Sequence, residues 1–156
     1  MGAVIVEGDP VSGSDTHKVT GNATTPTGSV SYAGTATYPY DGTMTEQLSD
    51  FVTIGSAPVA TVDSRSTLRA GHDATTGAPP FNPPATPALT PVPSSFGFVA
   101  TVGTGAPTDG AGSSFVTVGG TAVLLDDDGF DTCGDERGSG NASVASAGQS
   151  VVTVAE

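Results

Sequence analysis

Three side chains in this sequence have the chemistry of borderline-soft metal ligands: His17, His72 and Cys133. Neutral imidazole and thiolate suit Zn²⁺ or a similar first-row ion. Fifty-five positions part His17 from His72 and 61 part His72 from Cys133, so the short ligand spacing of a zinc finger is absent. The residues alone leave two readings open, one shared ion or two surface histidines with an inert, apolar thiol. All three sit in sequence that reads as turns. His17 ends Asp15-Thr16-His17, Cys133 ends the similar Asp131-Thr132-Cys133, and His72 lies between Gly71 and Asp73.

Other chemistry is sparse. The chain has no G-x-S-x-G, no H-E-x-x-H and no P-loop, and its many Asp and Ser residues form no organised constellation. A metal-dependent hydrolase, with His17, His72 and Cys133 on Zn²⁺ and Asp131 as base, would need a substrate pocket that nothing in the sequence builds. Cys133 is the only cysteine, which excludes an internal disulfide. Asn22-Ala23-Thr24 and Asn141-Ala142-Ser143 match the glycosylation acceptor pattern, a match that chance supplies readily in a Ser/Thr-rich chain.

The elements that must position these side chains are strands. With 22 Gly, 12 Pro and only 13% charged residues, the chain is poor in helix formers. Its 156 residues fit one all-β domain spanning 1–156. Sixteen acidic against four basic residues give a net charge of −12, which repels phosphate backbones and argues against nucleic acid as a partner. No apolar run approaches the ~20 residues of a membrane span, and the start of the chain has no basic, apolar signal pattern.

Phe51–Val62 reads FVTI-GS-APVATV, two β-rich runs around a two-residue turn, with Pro58 marking an edge or a bulge. Phe115–Leu125 repeats it as FVTV-GG-TAVLL. Weaker echoes lie at Phe98–Val102 and Ser150–Val154, and such repetition predicts a stacked or pseudo-symmetric β assembly. Gly21–Gly42, Thr-, Ser- and Gly-rich with Tyr32, Tyr38 and Tyr40, reads as one strand-and-loop excursion, beside a second, Pro-rich one. Ala78–Pro93 holds seven of the prolines and predicts an extended segment packed over the body.

Together these pieces resemble the PAAR-repeat tip proteins of contractile injection systems, in particular the PAAR-like tips of extracellular, phage-tail-like particles. Gly8-Asp9-Pro10 is similar to the family's opening turn, Asp15-Thr16-His17 to its ligand-bearing triplet, and Phe51–Ser64 and Phe115–Asp128 to its core repeat. Neither copy contains Pro-Ala-Ala-Arg, hence "PAAR-like". The resemblance implies a small conical β domain whose apex is held by one structural metal ion, Zn with Fe as the alternative. His17, His72 and Cys133 match three of its ligands. Tyr38, a nearby Asp or water is implied as the fourth.

The same resemblance implies a non-catalytic function. One copy would cap a trimeric β-helical spike protein and lead it through a target cell envelope. The chain would be assembled in the cytoplasm without a signal peptide, would carry no effector extension, and would become part of a released particle. The competing expectation is a secreted or particle-surface β-sandwich, a decoration or adhesion protein without metal.

Overall fold

The computed structural model describes residues 2–75, 90–99, 103–134, 140–149 and 152–154. Among them the chain is all-β, with a single 3₁₀ turn at Pro93–Ser95. A short β1 (Gly2–Ala3) precedes two long strands, β2 (Pro10–Thr25) and β3 (Gly28–Glu46). Next come β4 (Thr53–Ile54), β5 (Ala57–Pro58) and β6 (Arg65–Leu68), then β7 (Thr90–Pro91), β8 (Gly97–Phe98) and β9 (Ala106–Pro107). The order ends with β10 (Thr117–Val118), β11 (Thr121–Ala122), β12 (Gly129–Asp131), β13 (Ala142–Val144) and β14 (Thr153–Val154).

The repeat that the sequence carries twice is built three times in space. Gly55-Ser56 joins β4 to β5 and Gly119-Gly120 joins β10 to β11, with φ of 59°, 77°, 62° and 90°. Two successive left-handed residues are what a tight hairpin with right-twisted strands requires. The third hairpin is split, because β14 pairs antiparallel with β1, Gly2 facing Val154 and Ala3 facing Thr153. The terminal echo is therefore a true third copy. By contrast Phe98 pairs with Val19 on β2 and belongs to another part of the fold, while residues 100–102 lie outside those described.

Each hairpin feeds an extended segment, Val4-Ile5-Val6, Val59-Ala60-Thr61 or Val123-Leu124-Leu125. These segments join head to tail. The Ile5 N–H donates to the Leu124 carbonyl (3.0 Å), Leu124 N–H to Ala60 (3.0 Å) and Ala60 N–H to Ile5 (2.9 Å), which closes a ring. Each segment then ends in the same capped turn. The amides of Val6, Thr61 and Leu125 donate to a side-chain oxygen three residues on, at Asp9 (2.9 Å), Ser64 (2.9 Å) and Asp128 (2.7 Å). From these three turns rise β2, β6 and β12.

Side-chain alternation along the ring segments splits the core. Ile5, Ala60 and Leu124 point to one side and pack with Val11, Tyr40 and Met44 from the foot of the β2–β3 hairpin. Val4, Val59 and Val123 point to the other side and pack with Val6, Leu125 and Val154.

The main sheet runs β6-β3-β2-β13-β12-β9, with β7 and β8 also pairing to β2. β2 and β3 stay in register from Pro10 opposite Thr43 to Thr25 opposite Gly28. Period-two alternation turns Val11, Asp15, His17, Val19 and Ala23 inward on β2, and Tyr32, Ala36, Tyr38, Tyr40 and Met44 inward on β3. The Gly21–Gly42 excursion is the outer end of this hairpin, made of the end of β2, the turn and most of β3, and His17 lies in mid-strand, not in a turn. Their inward positions are largely small or polar, so the apolar alternation that betrays a strand is faint.

Farther out the sheet thins to β2 and β3 flanked by β8 and then β7, around a second core of Val19, Ala23, Tyr32, Ala36, Tyr38, Ala74 and Phe96. Residues 76–89, most of the Pro-rich stretch expected to pack over the body, lie outside the described residues. Its end does pack, with Thr90 and Pro91 paired to Thr24 and Ala23.

Leu124 is fully buried in the ring, whereas Phe115, at the outer end of its hairpin, is 73% exposed. Replacing Leu124 by Ala is expected to cost roughly 2–5 kcal/mol in denaturant unfolding, and Phe115→Ala no more than about 0.5 kcal/mol.

Candidate metal centre

On a strand, residues two apart share a face, so the Asp-Thr-His triplet of β2 delivers Asp15 and His17 side by side into the interior. His17 faces Ala36 across the hairpin, and that small partner leaves room for a ring from elsewhere. His72 fills it from the segment after β6, its ring 5.3 Å from that of His17. Cys133 arrives two residues after β12. A Cβ on the next residue, Gly134, would overlap Asp15 Oδ1 and the Thr16 backbone, so only glycine permits this approach.

The three residues singled out by sequence therefore converge, and Asp15 stands among them as the fourth. One ligand atom from each of Asp15, His17, His72 and Cys133 falls within 4.8 Å of all the others. Asp15 Oδ2 lies 2.9 Å from His17 Nε2, 3.0 Å from His72 Nε2 and 2.8 Å from Cys133 Sγ, and Cys133 Sγ is 4.0 Å from His17 Nε2. With metal–nitrogen and metal–oxygen bonds of about 2.0–2.1 Å and metal–sulfur bonds of about 2.3 Å, neighbouring corners of a tetrahedral site lie about 3.3–3.7 Å apart. The three edges at Asp15 Oδ2 are shorter than that range, at hydrogen-bond length, and the sulfur–His17 edge is longer, so Asp15 would draw back to admit an ion; the donor set of two nitrogens, one sulfur and one oxygen fits a divalent first-row ion. The cluster can hold a metal ion. Ionised Asp15 and a Cys133 thiolate would supply two negative charges, the number that neutralises a divalent ion in a buried site.

Asp15 has no solvent exposure. Burial acts to raise its pKa, but hydrogen bonds from His17, Cys133 and Thr132, with attraction to the His17 ring, prevail and hold it below the usual carboxylate range. Its other oxygen, Oδ1, accepts from the Thr132 hydroxyl at 2.6 Å. Asn141 fixes Thr132 in turn, donating through Nδ2 to the Thr132 hydroxyl (3.1 Å) and accepting the Thr132 amide on Oδ1 (3.2 Å). That relay keeps Oδ1 occupied and leaves Oδ2 facing the cluster, the arrangement outer-shell partners give a ligating carboxylate.

Tyr38, expected as one choice for the fourth ligand, forms a wall. Its ring stacks on His72 at 4.7 Å and 17°, and its hydroxyl donates to the Asp73 carbonyl at 3.2 Å. Burial, with repulsion from Asp73 second, raises its pKa. Phe98 continues that wall, 4.8 Å from the His17 ring and edge-to-face with Tyr38 at 5.8 Å. Asp131, considered as a catalytic base, accepts the Gly140 amide on Oδ1 at 3.2 Å and is not one of the four.

The cluster sits between the two cores and not at the far end of the hairpin, since β2 continues eight residues beyond His17 to Thr25. Sequence reasoning missed Thr132, Asn141, Phe98 and Gly134. Only Thr132 left a trace, in the likeness of Asp-Thr-Cys to Asp-Thr-His. No family model matches the chain, and no curated protein or solved structure matches it.

Thr132→Val removes the sole hydroxyl on Asp15 Oδ1 while keeping the side chain's shape. In the metal-free protein it is expected to lower stability by roughly 1.5–3 kcal/mol, the worth of a hydrogen bond to a buried charge, measured by urea unfolding.

Proposed function

We propose that this chain is the non-catalytic tip of the central spike of a contractile injection particle, capping a trimeric β-helical spike protein. The observation that carries this reading is the ring of Ile5, Ala60 and Leu124. One chain that seats on a three-fold partner needs three near-equivalent contact units, and closed three-part hydrogen bonding with three copies of one hairpin and one capped turn is that arrangement.

The side of the ring away from the metal cluster has the character of a docking face. A hollow of about 250 Å³ there is lined almost wholly by aliphatic residues, including Val4, Val59, Val123, Ile54 and Val118. Phe51 and Phe115, at equivalent positions of two hairpins, stand 71% and 73% exposed beside it. Large exposed aromatics around an apolar hollow favour a partner surface over bulk water.

The opposite end suits a leading role. Among the described residues, the outer part of the hairpin from Val19 to Tyr40 and the β7 and β8 strands beside it contain no charged residue. A charge-free surface avoids the cost of dragging ions into a low-dielectric layer such as a target envelope. The metal, Zn²⁺ or Fe²⁺, is structural in this reading. Four protein ligands, three of them buried and His72 partly so, are enough to complete a tetrahedral shell with no position left for substrate, so no enzymatic activity is assigned. The protein then acts outside the cell that makes it, as part of a released particle, and its negative charge keeps it from nucleic acid.

Co-expression with the spike protein of the same system, followed by native mass spectrometry, tests this. One copy per spike trimer is expected, and Phe51→Asp with Phe115→Asp is expected to abolish the complex while leaving the melting temperature within a few degrees. Three copies per trimer, or no complex with the unaltered chain, would remove the assignment. Many copies elsewhere on the particle would point to a surface decoration protein.

A further inference from the structure

We infer that the metal enters and leaves the cluster past His72, and that Tyr38 is the positioning residue that sets how fast. The inference rests on the metal reading of the four-residue cluster and concerns the route to it.

The four ligands are not held alike. Asp15 and His17 lie in β2, which is flanked by β3 on one side and by β13 and β8 on the other. Cys133 lies two residues after β12, and the intervening Thr132 is bound to both Asp15 and Asn141. His72 comes from a segment outside the sheet. Arg69, Ala70 and Gly71 before it are exposed, and a Cβ at Gly71 would meet nothing within 4 Å.

His72 also borders open space. A hollow of about 360 Å³ is lined by Pro39, Asp41, Ala70 and Asp73 together with Tyr38 and His72. The imidazole is thus the door between that hollow and the buried oxygen of Asp15, which its Nε2 reaches at 3.0 Å.

Outside the cluster itself, Tyr38 is what braces the door. Its ring lies nearly parallel to that of His72, and its hydroxyl ties down the Asp73 carbonyl one residue on. The bond to Asp15 and the edge contact with His17 belong to the cluster, and farther back the Arg69 amide donates to the Asp41 carbonyl at 3.0 Å. The Arg69–Asp41 ion pair is long, at 3.6 Å, and solvent-exposed, and Ala74 is a small anchor in the outer core. Stacking fixes the imidazole plane, so loss of the ring should let His72 swing away while Asp15, His17 and Cys133 keep the ion.

Loading the purified protein with Zn²⁺ and following its transfer to an excess of a coloured chelator tests the inference. Tyr38→Leu is expected to speed release roughly ten-fold, within the range known for outer-shell partners of metal ligands, with one Zn²⁺ per chain still bound at the start. Tyr38→Phe, which keeps the stack, should stay within about two-fold of the unaltered chain. Phe98→Leu, which opens the wall beside His17 and removes an edge contact with Tyr38 but keeps the Tyr38–His72 stack, should change the rate far less than Tyr38→Leu even if the melting temperature falls. Ala70→Trp, at an exposed position on the rim, should slow release by filling the hollow, and it serves if Tyr38→Leu fails to fold.

Equal release from Tyr38→Leu, Phe98→Leu and the unaltered chain, or faster release from Ala70→Trp, would overturn the route while leaving the metal reading intact. A chain that takes up no Zn²⁺ would overturn both.

Discussion

A carboxylate with no access to water must be matched by donors or by a cation, and Asp15 is such a group in the middle of the longest hairpin. The interior around it is arranged to meet that demand. Two imidazoles and a thiol converge on one oxygen and a threonine hydroxyl on the other, from chain positions up to 118 residues away. Those contacts tie together β2, the segment after β6 and the segment after β12. An ion at the same point would close the same long loops more strongly, restricting the unfolded chain as well as binding the folded one.

The two halves of the molecule are held by different physics. Around the ring the backbone does the work, with repeated hairpins, three hydrogen bonds closed in a cycle and a valine-rich interior on one side. Beyond the ring one hairpin extends outward, the flanking strands shorten to two residues, and the core shrinks to a few tyrosines, alanines and a phenylalanine. A narrow element buries too little apolar surface to be stable alone. The polar cluster sits where the larger core gives way to the smaller one, and a metal cross-link there would substitute for the missing hydrophobic contact.

The class of fold was legible in the sequence because glycine, proline and threonine speak directly to backbone preference. Two of the three repeat units were equally plain, since Gly55-Ser56 and Gly119-Gly120 mark their turns and both flanks are β-branched. The third unit was obscured because β14 and β1 stand at opposite ends of the chain and meet only in space. The long hairpin was harder still. Gly13, Gly21 and Gly34 sit on its inward face where other backbones or a tyrosine ring come close, so the usual apolar alternation is interrupted.

For the candidate site, residue type sufficed to select His17, His72 and Cys133, because the chain offers no other soft ligands of that kind. The choice between Tyr38 and a nearby aspartate needed geometry. Asp15 points into the cluster because it lies two residues from His17 on a strand, whereas Tyr38 faces Asp15 across the hairpin and turns its hydroxyl towards Asp73.

The account stands on the claim that these four residues form a structural metal centre. Elemental analysis of the purified chain, paired with thermal unfolding before and after a strong chelator, tests it most directly. The expected result is one zinc or iron per chain and a clear fall in melting temperature once the ion is removed. A chain without metal, melting at the same temperature with and without chelator or added Zn²⁺, would contradict it and leave Asp15, His17, His72 and Cys133 as a hydrogen-bonded cluster only.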